Sequence, residues 1–180
     1  MRIRLTAITA VVVFVALSAL PAMSQQATRT DFNDLTKALA GRWVGQVTWV
    51  ADWPGQGKKG DKVTGYWEGK LTEDGNALTT KFFGGNGSAS SMIVYDAVAK
   101  QIKEIVVDSG GTIFINIYSK VSPTKWAQTT TGSLADGSKI EGKYEANITE
   151  NGNVWSWSGT TMIGGKKQDD LHDVWRRVSK

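Results

Sequence analysis

The sequence predicts an all-β domain, an up-and-down antiparallel meander closed into a barrel of eight to ten strands behind one short N-terminal helix. Three observations carry this. Hydrophobic periodicity changes from 3.6 to 2 at Gly41 and stays near 2 towards the C-terminus. The strand-like stretches are punctuated by glycine-ended dipeptides suited to tight turns: Asp74-Gly75, Gly110-Gly111, Asp136-Gly137 and Asn151-Gly152. Such turns join only antiparallel neighbours, and eight to ten strands arranged in this way close on themselves and so lose both exposed edges.

The chain has 180 residues. At its start Arg2 and Arg4 precede an apolar run from Ala7 to Leu20, and Ala22 and Ser24 place small residues ahead of a cleavage point. The run is shorter than the ~20 residues that span a bilayer, so residues 1–24 are expected to be a secretory signal peptide rather than a membrane span. Residues 25–180 are then one domain, periplasmic or secreted. Removing the leader takes away two arginines and no acid, which lowers the formal charge from +4 to +2. That excess, with no clustered Lys/Arg stripe, offers no footprint for nucleic acid.

From Asp31 to Ala40, Asp31 or Asn33 is expected to cap a helix, with Leu35 and Leu39 one turn apart and Gly41 beyond its end. Strands are expected at about 42–50, 62–72, 77–84, 88–96, 101–108, 112–119, 125–132, 138–149, 153–163 and 170–178. The clearest is Ile140 to Ile148, where apolar or small residues alternate strictly with polar ones. By the two-residue period Trp43, Gly45, Val47 and Trp49 share one face, as do Val63, Gly65, Trp67, Gly69 and Leu71. If those faces point inward, glycines alternate with indoles and the barrel is expected to be incompletely filled.

Chemistry is bounded by what is missing. With no cysteine and only His172, the chain excludes disulfides, thiolate zinc sites and Cys nucleophiles, and no multi-histidine metal site is expected. Any catalysis must rest on carboxylates, hydroxyls or a cofactor. Asp108-Ser109-Gly110 matches half of an aspartic-protease site, but that chemistry needs two such aspartates and the segment also reads as a hairpin turn. Gly85-Asn86-Gly87 lacks the following helix that would receive a phosphate. Asp108, Glu68, Glu141 and Glu145 are expected on outer faces or turns, which counts against an acid/base pair and leaves an enzyme on this barrel as an alternative only. An interaction module would need an exposed apolar patch, which the sequence does not locate, and the oligomeric state stays open.

Gly41-Arg42-Trp43 at the start of the first strand, with Val174-Trp175-Arg176-Arg177-Val178 on the last, resembles the lipocalin and wider calycin superfamily. Val94-Tyr95-Asp96 and Val107-Asp108-Ser109-Gly110 are similar to a bacterial family of uncharacterised secreted lipocalin-like domains, although the lipocalin cysteines are absent. The resemblance implies a calycin-like β-barrel with a small-ligand cavity, sealed where Arg176, or failing that Arg177, stacks across Trp43. His172 follows Asp169 and Asp170 and precedes Asp173, so it reads first as a solvated edge histidine; if Arg176 points inward, so does His172, with Asp173, Trp175 and Arg177 outside, and only one formal charge enters the barrel instead of two. In nitrobindin-type calycins a closing-strand histidine ligates haem iron, so His172 with haem is the alternative to a barrel without cofactor. The main expectation is a small hydrophobic or aromatic ligand held by Trp49, Trp53, Trp67 and Tyr144, with Trp53 in a Gly-rich loop at the mouth.

Overall fold

The computed structural model describes residues 26–179; the expected leader lies outside them. Thr28 caps helix α1 (Arg29–Leu39). Its hydroxyl accepts the Asp31 N–H at 3.1 Å and the Asp31 carboxylate accepts the Thr28 N–H at 3.0 Å. The cap lies before the expected Asp31 or Asn33 because Thr28 and Asp31 satisfy two orphan helix donors reciprocally. The apolar face of α1, Phe32, Leu35 and Leu39, plugs one end of the barrel against Leu78, Ile93, Ile102, Trp126 and Ile148.

The strands are β1 (Gly41–Thr48), β2 (Lys62–Thr72), β3 (Ala77–Gly84), β4 (Gly87–Asp96), β5 (Gln101–Asp108), β6 (Ile113–Lys120), β7 (Lys125–Ser133), β8 (Lys139–Thr149), β9 (Val154–Ile163), the two-residue β10 (Lys166–Lys167) and β11 (Leu171–Ser179). β1 to β9 pair in chain order, β10 folds back on β9, and β11 pairs with both β9 and β1. Ten long strands therefore close into an antiparallel barrel, and the meander read from the turns holds throughout. Asp74, Gly75, Asn151 and Gly152 all adopt positive φ at their turns, the conformation those residue types supply most cheaply.

Closure depends on β1 meeting β11, where Trp43 stands opposite Arg177 and Val44 opposite Arg176. The Arg177 guanidinium lies 4.1 Å from the Trp43 ring centroid. It donates to the carbonyls of Ala38 at 2.6 Å and Gly152 at 2.9 Å, and to that of Ala40. Trp43 in turn donates its indole N–H to the Leu39 carbonyl at 2.9 Å. The expectation that Arg176 makes this contact is corrected: Arg176 points outward, 3.7 Å from Glu150. Counting buried charges misled, because the last carbonyls of α1 are orphan acceptors and the forked donors of a guanidinium are suited to satisfy them.

A one-residue change of phase inverts a whole strand. Asp173, Trp175 and Arg177 take the inner side of β11, and His172, Val174 and Arg176 the outer. Trp175, expected outside, is 4% exposed. On β2, Leu71 leaves the inward series and is exposed.

The outer wall also differs from expectation. Met92, Ile105 and Ile115 lie side by side across β4, β5 and β6, and Val107 faces Ile113 in the neighbouring row. All five are exposed, so the apolar patch that the sequence does not locate is on this wall.

Arg177→Ala is expected to lower stability by about 2–4 kcal/mol, the loss of charged hydrogen bonds and a cation–π contact, whereas Arg176→Ala should stay within about 0.5 kcal/mol. Urea unfolding of the two variants side by side checks the phase of β11.

Candidate functional site

Inside the barrel lies a cavity of about 210 Å³. One wall is aromatic. Trp155 stacks on Trp175 with ring centroids 5.8 Å apart, and Trp67 meets Trp155 edge-on at 5.5 Å. Phe82 continues the series from Trp175 at 6.1 Å, and Trp49 from Phe82 at 6.4 Å. Six of the eight tryptophans line the cavity; Trp43 and Trp126 belong to the plugged end.

The strand glycines seat this wall. A Cβ at Gly65 would stand 2.6 Å from the Trp175 ring and 2.8 Å from Val47, and one at Gly45 would stand 2.7 Å from the same indole. Glycine at these positions is therefore filled by tryptophan rather than left as space. The hollow lies beyond the indoles, between them and the opposite wall.

That opposite wall is polar, and Glu104 is its centre. Glu104 is 7% exposed. Its carboxylate accepts hydrogen bonds from Asn116 at 2.7 Å, from the Tyr118 hydroxyl at 2.5 Å and from Ser91. Thr80 joins Ser91 at 2.5 Å, while Thr130 donates to Asn116 at 2.5 Å and Gln128 to Thr130 at 3.2 Å. Hydrogen bonds thus run across five neighbouring strands, from β3 to β7. Burial, with Glu104 beside it, holds the Tyr118 phenol well above its ordinary range, so this hydroxyl keeps its proton and donates.

Sequence reasoning missed this ladder because its pattern is inverted. On β6 the apolar Ile113 and Ile115 face out while Asn116 and Tyr118 face in. On β5 Ile102, Glu104, Val106 and Asp108 share the inner face, against Ile105 and Val107 outside. Both faces carry apolar residues, so periodicity alone does not choose between them. The usable signal was the recurrence of Glu104 and Asp108 two turns of the pleat apart on one face.

The β1–β2 loop lies across the far mouth of the barrel. Asp108, expected at a turn, is buried there and holds the loop down. One carboxylate oxygen accepts the Trp53 indole N–H at 2.7 Å and the Gln56 amide at 2.6 Å. The other accepts the backbone N–H groups of Gly110 at 2.8 Å and Thr112 at 2.9 Å. The loop comes so close that a Cβ on Gly110 would stand 1.9 Å from the Pro54 carbonyl oxygen. Trp53 also meets Phe114 edge-on at 6.5 Å. It therefore has a packing role together with its place in the cavity lining.

Trp49, Trp53, Trp67 and Tyr144 all border the one cavity. The Tyr144 hydroxyl is already paired with Thr161 at 2.7 Å, and the ring stands 4.8 Å from Trp157. His172 is exposed on the outer face, as a solvated edge histidine would be, so the alternative of an inward histidine is corrected. It is the only histidine in the chain, and a haem inside this barrel would have no imidazole to ligate it. No cluster of three or more His, Cys, Asp or Glu suited to a metal occurs among the described residues, and none of their helices is long and apolar enough to cross a membrane.

No protein-family model matches the chain, and neither does any curated protein sequence. Among solved structures it is similar to Rv2717c from M. tuberculosis, with 15% identity and a TM-score of 0.58 over 81% of this chain and 96% of that one. A looser likeness, with 12% identity and a TM-score of 0.39 over 81% and 98%, is to EF1p2_mFAP2b bound to DFHBI, and it is too distant to argue from. The first likeness establishes the fold alone, a closed antiparallel β-barrel.

Asp173 lines the cavity near its mouth, 2% exposed, and accepts the Thr48 N–H at 3.2 Å. Burial pushes its carboxyl up to about 6, against the opposing pull of the Thr48 N–H and the nearby His172. The folded state therefore binds a proton more tightly than the unfolded chain, and this group's contribution to stability is present at low pH and is lost as pH rises through about 6. Asp173→Asn is expected to stabilise the protein by about 1–3 kcal/mol above pH 7 and by little near pH 4. Urea unfolding at a series of pH values checks this; a constant difference between variant and wild type would contradict it.

Proposed function

We propose that the chain is an exported carrier of a small apolar or aromatic molecule, held in the barrel against Trp49 and Trp67 and covered by the Trp53 loop. The observation that carries the reading is the cavity between the two walls. Protein interiors are normally close-packed, and unfilled space of about 210 Å³ between ordered walls departs from that. A fold with ten strands and eight tryptophans has ample material to fill such a space, so a hollow kept open between ordered walls suits a ligand.

The chemistry of the lining supports the same reading. The indole N–H groups of Trp49, Trp155, Trp157 and Trp175 are buried without a hydrogen-bond partner, and an occupant with an acceptor atom would satisfy them. Flat aromatic faces favour a flat or compact apolar body, and the ladder around Glu104 offers few, fixed polar contacts to orient it. Export rests on the leader pattern at residues 1–24, and secretion or periplasmic retention both agree with a chain that needs no reduced cysteine.

Saturable quenching of tryptophan fluorescence by small aromatic and aliphatic compounds is the expected signature. Trp49→Ala and Trp67→Ala should weaken binding about tenfold, while Tyr66→Ala, on the outer face, should leave it within about twofold. A chemically diverse panel that produced no saturable quenching would overturn the carrier reading.

A further inference from the structure

Three carboxyl groups border the cavity, Glu104, Asp108 and Asp173, with no lysine, arginine or histidine among the lining residues. They are not equivalent. Asp108 spends one oxygen on Trp53 and Gln56 of the Trp53 loop and the other on the backbone of its own turn at Gly110 and Thr112, so it is a structural latch. Glu104 sits in the wall opposite the indoles, and the partners of its two oxygens, Ser91, Asn116 and Tyr118, are neutral. None of the ion pairs among the described residues includes Glu104 or Asp173.

A buried carboxylate is normally accompanied by a cation of the protein. Here that position is taken by hollow space, and across the hollow stand tryptophan faces whose quadrupoles attract positive charge. From these observations we infer that the ligand is an organic cation, a protonated amine or ammonium on a compact aromatic or aliphatic body, with its charge against Glu104 and its body on the indole wall. The inference rests on the carrier reading and adds the charge of the ligand to it.

Several consequences follow for selectivity. A neutral molecule of the same shape gains the apolar contact but leaves Glu104 without a counter-charge. An anion of that shape meets three carboxylates in a space of low polarity, so it is disfavoured even where its body fits. Asp173, towards the mouth, adds attraction along the approach without contacting the same end of the ligand.

Isothermal titration calorimetry with phenethylamine, phenethyl alcohol and phenylacetate separates these cases, because the three probes share a body and differ in charge. The amine is expected to bind about tenfold tighter than the alcohol, and phenylacetate at least about tenfold weaker than the alcohol. Glu104→Gln should remove most of the amine's advantage over the alcohol, bringing the ratio of their affinities close to one. If that variant fails to fold, the ratio of amine to alcohol affinity in the unaltered protein decides, and its decline with added salt is a second readout. Alcohol binding as tight as the amine would overturn the cation inference and leave the carrier reading intact. If none of the probes bound, the cation inference would fail, and the fluorescence panel would decide the carrier reading.

Discussion

The interaction on which the rest of the barrel depends is the contact of Arg177 with Trp43 and the end of α1. It joins the last strand, the first strand, the helix plug and the β8–β9 turn through one guanidinium. Each partner needs it for a different reason. The helix presents terminal carbonyls without intrahelical donors, the turn presents the Gly152 carbonyl, and Trp43 presents a face that attracts a cation. Because these groups come from both ends of the domain, the contact forms only when the barrel has closed, and it sets the phase of β11. Everything that β11 contributes to the interior follows from that phase, Asp173 and Trp175 included.

The phase of β11 in turn decides how the interior is divided. Trp175 lies across Gly45 and Gly65 on the two neighbouring strands, and Trp155 stacks against it from the other side. Small residues on β1 and β2 therefore serve as seats for a large residue on β11, and the aromatic wall is built over them. Glycine reduced to a seat leaves no room of its own, so the hollow is bounded by indoles instead of backbone. The polar wall from β3 to β7 needs no such seats, since its side chains are short and tied to one another by hydrogen bonds. An apolar core on both sides would have collapsed; a ladder of mutually satisfied polar groups keeps its distance from a stack of rings.

This division also explains the outer surface. Turning Asn116 and Tyr118 inward to meet Glu104 sends Ile113 and Ile115 outward, because alternate residues on a strand must take opposite faces. The exposed apolar row on β4 to β6 is thus the geometric counterpart of the polar wall inside. Asp108 continues the inner series to the rim, where the same face that supplies the ladder also anchors the Trp53 loop. Ligand wall, lid anchor and outer patch are three results of one choice of register.

By itself the sequence determined the architecture. Glycine-ended turns at Asp74-Gly75, Asp136-Gly137 and Asn151-Gly152, with alternation such as that from Ile140 to Ile148, specify antiparallel neighbours wherever they occur, so the strands and the closed meander were legible from local chemistry. The inward face of β1 was legible too, since Trp43, Gly45 and Val47 share it against the polar Arg42 and Gln46. What only the tertiary structure decided was the facing of strands whose two sides are equally apolar or equally charged. On β11 the sequence offers His172 and Arg176 or Asp173 and Arg177 to the interior, and the choice rests on the carbonyls of α1, which lie far away in the chain. On β5 and β6 it offers apolar residues to either side, and the choice rests on Glu104 finding Ser91 on β4 and Asn116 and Tyr118 on β6. Periodicity reports only which residues travel together, whereas which set turns inward is settled by hydrogen-bond partners that become neighbours when the barrel closes.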